Sequence, residues 1–138
     1  MRNWAAALSI LIQLGCSTLC AADPACPLAG QKPMQVAQLF FGLDIRGRGP
    51  VTPREWRRFA VGVLTPNFPD GFTVYEAEGQ WRDARTGSIV RERSKVVLVA
   101  GTADADFSRE ISTVADAYKR QFRQRSVGIL TEPACGAF

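Results

Sequence analysis

Apolar and polar positions alternate or recur along this chain so as to mark six segments after residue 33. From Met34 to Leu43, Ala37, Leu39, Phe41 and Leu43 fall on one side and Val36, Gln38, Phe40 and Gly42 on the other, the period of a strand with one buried face. From about Pro53 to Leu64 the period changes to that of a helix, with Trp56, Phe59, Ala60 and Val63 in one stripe. Thr52 is placed to accept from the backbone N–H of Glu55 while Glu55 reaches back, and Pro53 takes the first helical position, so the start is a capping box. Pro66, Pro69 and Gly71 are expected to stop this helix and turn the chain into a second strand, about Phe72 to Arg82. Asp83 to Ser88 turns it back into a third, about Val90 to Gly101, whose Val96 to Ala100 run is apolar throughout. A second helix, about Ala105 to Gln124, carries Phe107, Ile111, Val114, Ala115, Tyr118 and Phe122 in a single stripe. Val127 to Thr131 reads as a fourth strand.

The order strand, helix, strand, strand, helix, strand predicts an α+β fold. Its economical form is a ferredoxin-like βαββαβ two-layer sandwich, a four-stranded antiparallel sheet with two helices on one face. Two right-handed crossovers put strands one and three in the middle and strands two and four at the edges. The other face stays open. It is read here as carrying Phe40, Val97 and Val99, and an open apolar face needs a cover, so a homodimer through it is the expected partnership.

Residues 1–22 read as a secretory signal, with Arg2 as a minimal positive region, Ala5 to Leu14 as the apolar core, and cleavage expected after Ala22. The run is too short to span a membrane, which takes roughly twenty residues. Leu14, Gly15 and Cys16 offer an alternative, a lipobox with Cys16 as the lipidated first residue of an envelope lipoprotein. Residues 23–33, with Pro24, Pro27, Gly30 and Pro33, form a tether, residues 34–132 the domain, and residues 133–138 a tail. Cleavage after Ala22 leaves only Cys26 and Cys135, and in an oxidising compartment an even pair predicts a disulfide tying tether to tail. The net charge of +4, +3 without Arg2, is modest, and no nucleic-acid partner is inferred from it.

Leu39 to Gly42, then Val51, Thr52, Glu55, Trp56 and Phe59, the Leu64 to Pro66 and Phe68 to Gly71 turns, Gly79 to Trp81, and Glu92, Ser94 and Lys95 together resemble an uncharacterised bacterial family, domain of unknown function 3574. The resemblance covers about Val36 to Val127. It implies frequent export or lipid anchoring and brings no activity, cofactor or catalytic residue. Where members commonly show tyrosine in the first motif, this chain has Phe40.

A hairpin between the second and third strands brings Gln80 and Trp81 beside Arg91, Glu92 and Ser94, the candidate set for a small polar ligand. Glu92 is the one weak catalytic candidate, a general acid or base if burial raises its pKa. Glu55 is explained by capping, and Glu76 and Glu78 by exposure on an edge strand. The chain has no histidine, which excludes His-assisted triads and His-rich metal sites, and no GxSxG elbow occurs. No metal and no cofactor are expected. The leading function is an exported binding or interaction module; the alternative is a cofactor-free enzyme using Glu92 on a dimeric ferredoxin-like fold.

Overall fold

A computed structural model describes residues 26–138. The leader, with the expected cleavage after Ala22 and the alternative at Cys16, lies outside the described residues. Four strands, β1 (Lys32–Gly42), β2 (Thr73–Arg82), β3 (Ile89–Gly101) and β4 (Gly128–Gly136), form one sheet in the order β2-β3-β1-β4. Every neighbour pair is antiparallel. Helices α1 (Pro53–Phe59) and α3 (Ala105–Phe122) deliver the buried Trp56, Phe59, Phe107, Ile111, Val114, Tyr118 and Phe122 to one face. The ferredoxin-like sandwich, with its central and edge strands as expected, is therefore the fold.

Ala37, Leu39 and Phe41 of β1 are fully buried beneath the helices. The rings of Phe41, Phe59 and Tyr118 meet edge-on, with centroids 4.7 to 5.9 Å apart, an arrangement that adds about 0.5–1.5 kcal/mol per pair beyond burial itself. Tyr118 also places its hydroxyl 2.8 Å from the Gly42 carbonyl as donor, so the polar end of a buried side chain is satisfied at the end of β1.

Both helix starts form as their sequences require. The Thr52–Glu55 capping box is complete, with Glu55 N–H to Thr52 Oγ1 at 3.3 Å and Thr52 N–H to Glu55 Oε2 at 2.9 Å. Asp104 accepts from Phe107 N–H at 2.8 Å to cap α3. Arg48 adds a two-point grip on the Glu55 carboxylate, both contacts 2.9 Å, so the Gly47–Arg48–Gly49 loop is fastened to its own helix. The fork geometry is the strong form of this ion pair.

Three boundaries differ from the sequence reading. The first helix does not stop at Leu64: it widens into π-helical Ala60–Leu64 and resumes as α2 (Thr65–Asn67). Pro66 has no N–H for the carbonyl four residues back, and the ladder shifts by one, with Thr65 N–H bonded to Ala60 O. β4 runs on to Gly136, so 133–136 is strand and not tail; Pro133 is tolerated because β4 is an edge. β1 likewise begins at Lys32, inside the expected tether. Cys26 and Cys135 are bonded, Cα atoms 5.6 Å apart across 109 positions.

The β2–β3 hairpin outruns the rest of the sheet. β1 accompanies β3 only as far as the Gly42–Ser94 pair, whereas β2 stays paired from Glu78–Arg93 to Arg82–Ile89. The result is a two-stranded arm. Its turn is closed by Asp83, whose carboxylate accepts from Arg85 and Thr86 N–H at 2.8 and 3.0 Å. Trp81 and Ile89 stand 46% and 45% exposed on the arm, where no second layer covers them.

Candidate functional site

Strand alternation assigns the candidate residues to two faces. Trp81 pairs with Val90 and Gly79 with Glu92, and these, with Ser94, lie on the open face. Gln80 pairs with Arg91 and points to the other side. Gln80 and Arg91 therefore do not join Trp81 and Glu92, because a one-residue offset in a strand reverses the side chain. Ser94 is on the correct face but is 8% exposed, and its hydroxyl is turned to the Ala77 carbonyl at 3.4 Å. It serves as a cross-strand tie.

What remains is a tight pair. The Glu92 carboxylate leans over the end of β1 onto Gly42, so close that a β-carbon there would lie 2.8 Å from Oε1 and 3.0 Å from Oε2. Real β-carbons do not approach so closely, and glycine is what admits the carboxylate to the sheet surface. Glu92 is half-buried and has no salt bridge among the described residues, although Arg91 and Arg93 flank it in sequence. Burial raises its pKa; the nearby Trp81 indole N–H, which favours the charged form, opposes the rise, and the negative charge of Asp44 adds to it. Beneath Gly42 lies Tyr118, whose own pKa is raised by burial and then by the Glu92 charge.

The floor beside this pair is low, since Ala77, Gly79, Gly42 and Ser94 bring little side chain to it. Aromatic groups stand around it: Trp81, Tyr75, which is 51% exposed, and Phe40, which lies over Gly128. Val97 and Val99, assigned above to this open face, are 0% and 3% exposed and belong to the helix-covered core. Their partners show why: Leu39 and Ala37 are opposite them, and opposed residues share a face. The open face carries Phe40, Val96, Leu98 and Tyr75, with Leu130 on β4.

Sequence reasoning missed Gly42 and Tyr118 as the support of Glu92. A glycine ending an otherwise large-residue strand was the available signal. Elsewhere, Lys95 lies over the Trp56 ring, 5.7 Å from its centroid, and pairs with Glu76. At the far end of the sheet a groove of about 190 Å³ is bordered by Asp70, Asp104, Asp106 and Glu110. Among the described residues no three metal-ligating side chains gather, and no helix is long and apolar enough to cross a membrane.

With this geometry in hand, comparison with known proteins gives a family and a fold. The family model described as protein of unknown function (DUF3574) matches residues 36–138, and the chain belongs to that family. The match reaches past Val127 to the chain's end, through the whole of β4. No curated protein matches the chain. Among solved structures, a phage SAM lyase in complex with S-methyl-5'-thioadenosine superposes with a TM-score of 0.59 at 16% identity, covering 79% of this chain and 91% of that one. The same description, phage SAM lyase, in its apo state gives 0.58 at 16% identity, covering 94% and 97%. CutA from Synechococcus elongatus PCC7942 gives 0.50 at 11% identity, covering 76% and 80%. At such identities the likeness is one of fold.

Proposed function

We propose that this protein is an exported binding module whose Trp81–Glu92 cleft takes a small ligand joining a flat apolar part to a positive charge or a strong hydrogen-bond donor. The observation that supports it is the state of Glu92: a half-buried carboxylate held over Gly42, with an indole beside it and no cation paired with it among the described residues. A half-buried carboxylate without a cationic partner is only partly compensated, and a cationic or donating ligand completes it. Trp81 supplies the face for stacking. Two copies cover one another through the open sheet face, for which the exposed Tyr75 and Leu130 argue.

The fold neighbour bound to S-methyl-5'-thioadenosine suggests the first probes. Trp81 fluorescence should change on titration with that molecule, or with a sulfonium or aromatic amine of similar size, and Glu92→Gln should weaken binding of a cationic probe at least about tenfold. If none of these probes perturbs Trp81, or Glu92→Gln binds as well as wild type, the reading fails.

A second reading, a cofactor-free enzyme in which Glu92 takes or gives a proton, is favoured by the upward shift of its pKa. Turnover of a bound probe by wild type and not by Glu92→Gln separates it from simple binding. Export is part of the proposal. Intact mass of the secreted protein should correspond to a chain beginning at Asp23; a lipid adduct on Cys16 would establish the envelope lipoprotein instead, and an uncut cytosolic chain would remove export altogether.

A further inference from the structure

Gln80 and Arg91, which the pleat keeps out of the Trp81–Glu92 cleft, face the helix side of the sheet and have neighbours of their own there. On that side Glu78 stands opposite Arg93, Gln80 opposite Arg91 and Arg82 opposite Ile89, the same parity as the core residues Val97 and Val99. Along this face of β3 Lys95 still lies under the helix layer, over the Trp56 ring and paired with Glu76. Beyond it Arg93, Arg91 and Ile89 are exposed, as are Gln80 and Arg82 across the ladder. Arg91 and Arg93 are two residues apart on one strand, about 7 Å between Cα atoms, and Arg82 lies diagonally from Arg91 at about 7–8 Å. None of the three belongs to an ion pair among the described residues. Asp83 does not serve them, because its carboxylate is turned into the hairpin turn, accepting from Arg85 and Thr86 N–H. Arg82 rests one nitrogen on the Gly87 carbonyl at 3.3 Å and keeps further N–H groups to donate.

We propose that this reverse face of the arm is an anion site, in which Arg91 and Arg93, bordered by Gln80 and Arg82, hold a phosphate-bearing ligand. Like charges this close on one strand face repel, and a bound anion turns the repulsion into charge-assisted hydrogen bonds. The three arginines less Glu78 leave two positive charges on the face. A phosphate monoester matches that excess, with about −1.5 to −2 at pH 7 and three acceptor oxygens. A carboxylate, with one charge and two oxygens, leaves part of it unanswered. Ile89, 45% exposed beside Arg91 on the same face, gives the site an apolar border for the organic group that carries the phosphate. The site owes nothing to Trp81 or Glu92, whose side chains leave the arm on the other side, so one hairpin offers opposite charge on its two faces. A soluble phosphate ester and an anionic lipid headgroup present the same chemical group, and the experiment separates them.

The full mature chain is titrated with phenyl phosphate and, separately, with benzoate, while NMR follows the backbone amides of Gln80, Arg91 and Arg93; co-sedimentation with phosphatidylglycerol vesicles, against phosphatidylcholine vesicles, is the second arm. Phenyl phosphate should shift those amides and bind about tenfold or more tightly than benzoate. Arg91→Gln with Arg93→Gln should weaken that binding about tenfold or more. Arg57→Gln with Arg58→Gln removes the same charge from exposed positions of α1 and should change it less than about twofold. Circular dichroism checks that both double variants are folded. A response to phenyl phosphate identifies a soluble ester as the source; binding to phosphatidylglycerol vesicles alone, lost in the Arg91–Arg93 variant, identifies a lipid headgroup, and either result supports the site. No response to either probe, equal losses from the two pairs of substitutions, or benzoate bound as tightly as phenyl phosphate overturns it. The Trp81–Glu92 reading stands or falls separately, since its readout is Trp81 fluorescence on the other face.

Discussion

The two faces of the sheet are built from the same strands and differ in what each side chain meets. On the helix-covered face Phe41 touches Trp56, Phe59 and Tyr118, and the one hydroxyl of that cluster is bonded to Gly42. Contacts there are complete. On the open face, and most of all on the arm, Trp81 is half exposed and Glu92 has no cation paired with it among the described residues. The contrast separates the part of the molecule that makes it fold from the part that is left with unspent interactions. A residue pair kept in that condition is a better candidate for binding than any residue of the core.

The largest expected effects lie on the covered face. Phe59→Ala should destabilise by about 3–5 kcal/mol in chemical denaturation, while Trp81→Ala, made at a half-exposed position, should cost less than about 1 kcal/mol and act on ligand binding instead. Comparable losses for both would erase the distinction between the faces. Next in size is the disulfide: replacing Cys26 and Cys135 with serine should cost about 2–5 kcal/mol, since the bond closes a loop across 109 positions. Denaturation midpoints with and without reductant measure it.

Gly42→Ala should have a smaller effect on stability, about 1–3 kcal/mol, because the new methyl meets the Glu92 carboxylate. Its sharper consequence is for the cleft. Glu92 must move off the sheet, and binding should fall as far as in Glu92→Gln. The smallest effect concerns Glu55, whose pKa is lowered from 4.5 to about 2 by the Arg48 grip and then by the Thr52 backbone and hydroxyl. A carboxyl with a depressed native pKa gives stability that is present above its unfolded pKa and lost as pH falls toward the native value. Melting temperature should therefore decline between pH 4.5 and 2, and Glu55→Gln should flatten that decline. The group is exposed, and the change is modest.

Much of the fold was legible because the signals were local. The alternation of Ala37, Leu39 and Phe41, the six-member stripe of α3 and the Thr52–Glu55 box each determine a short piece of backbone, and connectivity rules arrange the pieces. Where reading failed, the cause was not local. Val97 and Val99 were assigned to the wrong face because a run of consecutive apolar residues has no alternation to show which parity is inward; only pairing with Leu39 and Ala37 decides. Pro66 reads as a stop, yet a π turn lets the helix pass it. The end of β4 hides behind Pro133, which an edge strand admits. Of the candidate site, Trp81 and Glu92 are brought together as the hairpin suggested, while Gln80 and Arg91 are separated from them by the pleat. The role of Gly42 depends on a side chain fifty residues away in sequence, and no single stretch of sequence reports it.

The most direct test of the account is an NMR pH titration of the Glu92 side-chain carboxyl in the ligand-free protein. A half-buried carboxylate without a cation should titrate above the 4.5 of an ordinary glutamate, and should fall when a cationic probe binds. A value at or below 4.5 in the free protein, as an arginine-paired or fully hydrated glutamate gives, would contradict it.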